Sequence, residues 1–262
     1  MRLVSFKAVF LFGLLSLACT TKVSEWVLLN APADMYSLVY FYKVAPGEAV
    51  LKQNTQLAES FKNANIQVVN QKNDQAARPY YALYYGGRQF ARYGSISEMK
   101  YLTTSSLRDK IAGELMAGKL CVLLYLTTGD KAKDDKGIQV INHALSSSPF
   151  RNIITVMELS RGNAEEAHFE SMLLNVEDDL KFIKEPMLFG IFGKLKALEP
   201  LVAGGITEEN IGYMIDFLTA DCSCLIKDNL PGTDILYDSK WENPATAMVN
   251  RILDENPSLE PQ

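Results

Sequence analysis

The chain is poor in the residues that build metal and redox centres. Its 262 residues include four Cys, two His and two Trp. So few thiols and imidazoles leave little material for a zinc-type site, which needs four ligands in spaced pairs. No metal site and no cofactor are therefore expected. Gly86-Gly87 does not form a dinucleotide fingerprint, and no Ser/His/Asp order carries a distinctive local motif. Positive charge is also short: 26 Lys and Arg stand against 31 Asp and Glu, a net charge of −5. A nucleic-acid partner, which calls for a basic face, is not expected. The apolar stretch at residues 8–18 is too short for a membrane-spanning helix, which needs roughly 20 residues. No low-complexity tract breaks the chain. What remains is a folding composition, 48% apolar, 22% charged and 10% aromatic.

The short apolar run has the pattern of a secretory signal peptide over residues 1–18, with Arg2 and Lys7 in its charged start. Cys19 follows in Ser16-Leu17-Ala18-Cys19. This resembles a bacterial lipoprotein signal, in which the cysteine is acylated and becomes the mature N-terminus. The match is imperfect: Leu stands two and four residues before the cysteine, and Ser three before. Ser16-x-Ala18 also satisfies ordinary cleavage, so soluble secretion stays open. With Cys19 acylated, each buried CH₂ adds about 0.8 kcal/mol of membrane affinity.

Beyond this segment, strand and helix signals alternate. Residues 37–43 (SLVYFYK) read as a strand rich in Val and Tyr. Residues 47–64 read as a helix with Val50, Leu51, Leu57, Ala58 and Phe61 apolar. Strands follow at 66–69, 80–85 and 89–93, the last two joined by Gly86-Gly87 as a hairpin turn. Ser105 or Ser106 caps a helix striped by Leu107, Ile111 and Leu115. The order then recurs: a strand at 120–126, a helix at 134–145, a strand at 153–159, a helix at 164–176, strands at 187–192 and 201–203, and a helix capped by Thr207. The two halves share a grammar of strand, helix, strand, proline, hairpin, glycine and helix. That pattern suits a diverged duplication and a partly parallel sheet in each half.

This grammar resembles the thioredoxin fold, seen twice in tandem. The likeness rests on Arg78-Pro79 before YYALYY, then GG and FARYG, and again on Glu185-Pro186 before MLFGIF and the strand ending at Gly204. It spans about residues 26–220. It implies an α/β fold class of two tandem thioredoxin-like domains, each a central mixed sheet flanked by helices. The expected limits are residues 19–118 and 119–224, followed by a tail, 225–262, with a short helix at 244–253. By the same resemblance, Pro79 and Pro186 are expected to be cis and to border a groove that receives extended polypeptide. The departure from the family is as informative. A redox thioredoxin has Cys-x-x-Cys after its first strand, where a helix start lowers the thiol pKa. Residues 44–49 (VAPGEA) and 127–131 (TTGDK) hold no cysteine. Without a thiolate there, no mixed disulfide forms.

Cys222-Ser223-Cys224 is a candidate thiol pair. In an extended chain its two ends lie roughly 6.6 Å apart, near the upper limit for a disulfide. A redox pair, a structural disulfide and free thiols all stay open. Cys121 lies in an apolar strand, either as a core thiol or as a partner for Cys222 or Cys224. If Cys19 is acylated, three thiols remain and at least one is unpaired. Glu165-x-x-His168 has the helical spacing of a metal-ligand pair but no second copy, so a solvated helix face is expected. Gly204-Gly205-Ile206-Thr207 could receive an anion at a helix start, although a turn with an N-cap accounts for it.

Tyr80, Tyr81, Tyr84 and Tyr85 form a candidate interaction face. Alternation along a strand puts Tyr81 and Tyr85 on one side and Tyr80 and Tyr84 on the other. One pair lines the core; the other meets a partner or the second half. The expectation is a redox-inactive protein of a bacterial cell envelope, held to the membrane by lipid and binding a protein or peptide of unknown identity. An atypical thiol–disulfide oxidoreductase using Cys222 and Cys224, and a structural envelope spacer, are the alternatives.

Overall fold

The structure is a computed structural model that describes residues 21–238. The expected export segment, Cys19 and the expected helix at 244–253 lie outside the described residues. The described chain opens on a helix that the pattern reading did not anticipate, α1 (Val23–Asn30). Glu25 Oε2 accepts the Lys22 N–H at 2.8 Å, and Val23 and Val27 are buried.

The first unit runs β1 (Tyr36–Tyr42), α2 (Glu48–Ser60), β2 (Ile66–Lys72), β3 (Tyr80–Tyr85), β4 (Arg88–Tyr93) and α3 (Ser106–Met116). Its sheet order is β2-β1-β3-β4, with β1 parallel to β2 and antiparallel to β3. Gly86 and Gly87 have φ of 55° and 79°, the two left-handed residues of a tight hairpin. Ser105 caps α3 through its side chain.

The second unit runs β5 (Cys121–Leu126), α4 (Lys131–Ser146), β6 (Ile154–Leu159), α5 (Ala167–Leu173), β7 (Met187–Phe192), β8 (Lys196–Ala197), β9 (Leu201–Val202) and α6 (Glu208–Thr219). Here β5 is parallel to β6 and antiparallel to β7. The expected strand at 201–203 stands as β9, and a short strand that was not expected, β8, precedes it; both pair with β7, and Pro200, which has no N–H to donate, stands between them. The fold is thus α/β with two mixed sheets flanked by helices, and each sheet has a thioredoxin-like strand order.

The units differ in one respect that sets their surfaces. Between β6 and β7 lies α5, but β2 and β3 are joined only by residues 73–79, which form no helix. In the first sheet, Leu38, Tyr40, Tyr81 and Leu83 point inward, where Leu57 and Phe61 near α2 and Ile111 and Leu115 of α3 meet them. The same cluster continues into the second unit through Val122, Leu124, Phe189 and Phe169. The other face of the second sheet packs against α1, α4 and α6 through Leu123, Tyr125, Val27, Ile141 and Leu218. Every residue of β5 and β7 is buried, as expected of strands covered on both sides. The layers therefore run from an outer sheet face, through helices, to the second sheet and a further helix layer. On the outer face of the first sheet, among the described residues, Val39, Phe41 and Ala82 pack with Tyr80 and Tyr84.

The tail does not stay on the second unit. After α7 (Cys224–Asp228), β10 (Thr233–Asp234) pairs with β8, and residues 235–238 pass to the first unit. Ile235 N–H donates to Leu195 O, Asp238 N–H donates to Thr103 O, and Asp238 bridges Ala64. A Pro-Gly turn followed by Ile235, Leu236 and Tyr237 is a strand-like signal within the segment expected to be a tail with only a short helix.

Candidate functional site

A cleft of about 650 Å³ lies beside Pro186, at the sheet end where α4 and α6 begin. Val140, Pro186, Ala203 and Ile206 supply apolar lining, and Lys136 and Glu209 reach its rim. Lys133 Nζ meets Glu185 Oε1 at 2.7 Å, and His143 Nδ1 meets Glu208 Oε1 at 2.9 Å. These pairs are exposed, and solvent screens them, so they shape the rim rather than hold the fold. Ala203 has φ of 48°, a left-handed conformation uncommon for a residue with a Cβ.

The prolines depart from what the resemblance implies. No cis peptide bond occurs among the described residues, so Pro79 and Pro186 are both trans. Trans is the lower-energy form of an X–Pro bond by about 0.5–1 kcal/mol. Pro79 is exposed and borders no described cleft, whereas Pro186 is buried and lines one. The backbone at Pro186 is also engaged: its carbonyl accepts the Ala203 N–H at 2.9 Å, and the Glu185 carbonyl accepts Arg161 Nη2 at 3.2 Å. A ligand in this cleft would meet side chains before it met open backbone acceptors.

Where a redox thioredoxin has its thiols, the second unit has carboxylates. Asp130 caps α4, accepting the N–H groups of Ala132 and Lys133. Asp134 accepts from Thr128 N and Oγ1 through one oxygen and from Gly129 N through the other, at 2.8–3.0 Å. The positive end of this helix is thus satisfied by fixed negative charge. The thiols lie elsewhere. Cys121 is a free, fully buried thiol whose pKa burial pushes up to about 12. Cys222 is 1% exposed in the same apolar cluster. Cys224 begins α7, and its side chain lies outside the description. A buried thiol with a raised pKa holds little thiolate at neutral pH.

The tyrosines separate as the alternation predicts. Tyr81 is buried in the shared core, where its hydroxyl donates to Asn54 Oδ1 at 2.6 Å, and Tyr85 packs against the same core. Tyr80 and Tyr84 lie over Phe41 on the outer face, with ring centroids 5.1 and 6.4 Å from it. The Arg92 guanidinium sits 3.6 Å over the Tyr80 ring. Of the four tyrosines expected on an interaction face, Tyr81 and Tyr85 turn to the core, and only Tyr80 and Tyr84 lie on the outer side of the sheet.

Glu165 and His168 are not a solvated face. Glu165 Oε1 accepts the Ser106 N–H at 3.0 Å, and His168 Nε2 lies 3.2 Å from Glu98 O. Both join the second unit to the first, and no metal-like cluster of Cys, His, Asp and Glu occurs among the described residues. At Gly204-Gly205, Thr207 caps α6, and Glu208 and Glu209 fill its first turn. That arrangement opposes an anion. The reading missed Arg108, which is fully buried. It donates to the carbonyls of Leu102 and Tyr101 in the first unit and of Leu236 in the tail. Burial lowers its pKa to about 10, so it stays charged at neutral pH. Its only sequence signal was a basic residue one position past the apolar stripe position Leu107.

No family model matches the chain, and no curated protein sequence matches it. Among solved structures, the chain is similar to the first two thioredoxin domains of Naumovozyma dairenensis Eps1p. The identity is 14% over 78% of this chain and 97% of that one, with a TM-score of 0.28. At that score the overlay adds nothing to the strand order, and the chain is placed by its fold alone: two mixed sheets with thioredoxin-like topology.

Proposed function

We propose that this chain is a redox-inactive, thioredoxin-like protein of a bacterial cell envelope, tethered by lipid at Cys19, that binds a protein or peptide. The cleft beside Pro186 is the binding site in this reading. One observation carries it: an apolar cleft stands at the start of α4, where Asp130 and Asp134 occupy the helix end that would otherwise activate a thiol. The chemistry available there is complementarity of shape and charge. Val140, Pro186 and Ile206 offer apolar area, and the paired rim charges select orientation. The burial of Cys121 and Cys222 further favours binding over thiol exchange.

Three measurements test this. Insulin reduction is expected to be absent in the wild type and in Cys222→Ser/Cys224→Ser alike. Robust turnover that the double variant loses would replace this reading with an oxidoreductase. A photo-crosslinking residue at Val140, in cells, is expected to capture a separate polypeptide, and Ile206→Asp to reduce that capture. No capture from Val140 would favour a spacer. Intact mass of the natively expressed protein reads cleavage before Cys19 and the acyl mass together.

A further inference from the structure

We propose that the partner seated in the cleft beside Pro186 presents an amphipathic helix rather than an extended strand, with an acidic flank toward α4 and a basic flank toward α6. This rests on the binding reading above and narrows it to one kind of ligand.

The backbone around the cleft is already committed. The Pro186 carbonyl accepts the Ala203 N–H, and the Ala203 carbonyl accepts the Ile206 N–H. The Gly205 carbonyl accepts both the Thr207 N–H and Asn210 Nδ2. The Glu185 carbonyl accepts Arg161 Nη2, and Pro186 has no N–H to offer. Lys133, Lys136, Gly137 and Val140 lie inside α4, whose backbone pairs with itself. An extended peptide draws its affinity from main-chain hydrogen bonds along a sheet edge. Laid against this lining, it would bury N–H and C=O groups unpaired, at a cost of about 1–3 kcal/mol for each. A helix pairs its backbone internally and brings only side chains to the wall.

The walls have the dimensions of a helix seat. Lys133, Lys136, Gly137 and Val140 stand at i, i+3, i+4 and i+7, so one face of α4 forms one side over about 10 Å. Ile206, Thr207 and Glu209, at the start of α6, form the other. Ion pairs cross from α4 to the opposite side, Lys133 to Glu185 and His143 to Glu208. Along α4 these crossings stand about 15 Å apart. Apolar anchors at i, i+4 and i+7 of a docked helix span about 10 Å and have room between them, over Val140, Pro186 and Ile206.

The charges orient the ligand. Lys136 is exposed on the α4 side and makes no ion pair among the described residues. Glu209 is exposed on the α6 side, where its Oε1 accepts the neutral Tyr213 hydroxyl at 2.9 Å. An acidic residue on one flank of the docked helix meets Lys136, and a basic residue on the other meets Glu209.

The test selects binders to the full chain from two phage libraries. One randomises a single helix face on a stable helical scaffold. The other displays short peptides interrupted by proline, which cannot form a helix. Binders are expected from the helix library, with apolar residues at i, i+4 and i+7 and opposite charges on the two flanks. Lys136→Glu/Glu209→Lys changes two exposed positions and leaves the core intact. It is expected to weaken these binders about tenfold or more, and a selected helix with its flanks reversed to bind the double variant again. Proline-interrupted peptides that bind at least as tightly as the helices and respond to the same change would overturn helix recognition and leave the binding reading standing. No response from either library, with the Val140 crosslink still formed in cells, would also overturn helix recognition alone; loss of that crosslink would overturn the binding reading with it. A concentration-dependent dimer that the double change dissolves would overturn the proposal in favour of a second copy of this chain.

Discussion

Glu166 of the second unit closes the start of helix α3 in the first, with Oε2 accepting the Ser105 hydroxyl at 2.5 Å and Oε1 accepting the Leu107 N–H at 2.8 Å. Ser105 Oγ in turn accepts Arg108 Nε at 3.0 Å. A buried carboxylate, a hydroxyl and a guanidinium thus form one chain across the unit boundary. Glu166→Ala removes the nearest counter-charge of Arg108 and leaves the Leu107 N–H and the Ser105 hydroxyl without their acceptor. It is expected to cost about 2–4 kcal/mol, read as a lower urea midpoint with the slope unchanged. Glu166→Gln keeps one acceptor and is expected to cost less. Equal losses for Ala and Gln would contradict the charge-assisted role.

Lys196 and Asp234 make the most buried ion pair described, 2.8 Å apart with side chains 7% and 3% exposed. Asp234 Oδ2 also accepts the Asp34 N–H at 2.9 Å, and Tyr36 donates to the Asp234 carbonyl. Burial nonetheless raises the Asp234 pKa more than Lys196 lowers it. Desolvation therefore offsets much of the attraction. Lys196→Met alone strands a carboxylate and is expected to cost about 3–5 kcal/mol. Lys196→Met/Asp234→Asn removes both charges and is expected to be more stable than the sum of the single changes implies, by more than about 1 kcal/mol in a double-mutant cycle. Strict additivity would show that the two charges act independently.

Periodicity made most of the sheet frame legible. Tyr81 and Tyr85 turn inward and Tyr80 and Tyr84 outward because a strand alternates its sides, whatever its neighbours. The β3 and β7 strands stand at the expected residues, each following its proline. What escaped were features whose partners are distant in sequence. Arg108 in a helix looks like any solvent-facing cation until Leu236 closes over it. Glu165 and His168, spaced as helix neighbours, gave no hint that both reach another unit. The missing helix between β2 and β3 was visible only as a short connection, and its consequence, a sheet face that no described helix covers, needed the sheet order. The cis state of Pro79 and Pro186 came from resemblance alone, and there the local backbone differs.

His168 gives the fold a dependence on pH. Its Nε2 meets Glu98 O, its ring stands edge-on to Tyr93 at 5.7 Å, and the Arg108 charge is nearby. Burial, followed by that positive charge, lowers its pKa below the ordinary 6.5 against the raising effect of the backbone carbonyl. The folded state therefore binds fewer protons than the unfolded state between the lowered value and about 6.5. The stabilisation is full above about 6.5 and declines as pH falls through that window. The melting temperature of the wild type is expected to drop from pH 7 to pH 5 more than that of His168→Gln. Parallel curves for the two proteins would contradict this.

Tyr125 carries a buried hydroxyl with no hydrogen-bond partner among the described residues, directly under Gly137 of α4. A Cβ at position 137 would fall 2.2 Å from that oxygen and 2.7 Å from Cζ. The missing side chain lets the tyrosine lie beneath the helix that lines the cleft. Tyr125→Phe removes an unsatisfied polar atom and is expected to raise stability by about 1 kcal/mol. Gly137→Ala would gain about 1 kcal/mol of helix propensity, yet the overlap is expected to reverse the sign and leave a net loss of about 1–3 kcal/mol. Adding Tyr125→Phe to Gly137→Ala should restore only part of that loss, because the ring carbon still collides. Denaturation midpoints of the two single variants and the double variant decide this. A Gly137→Ala chain as stable as wild type would mean that α4 can lift off the ring at little cost, and that the cleft wall beside it is correspondingly soft.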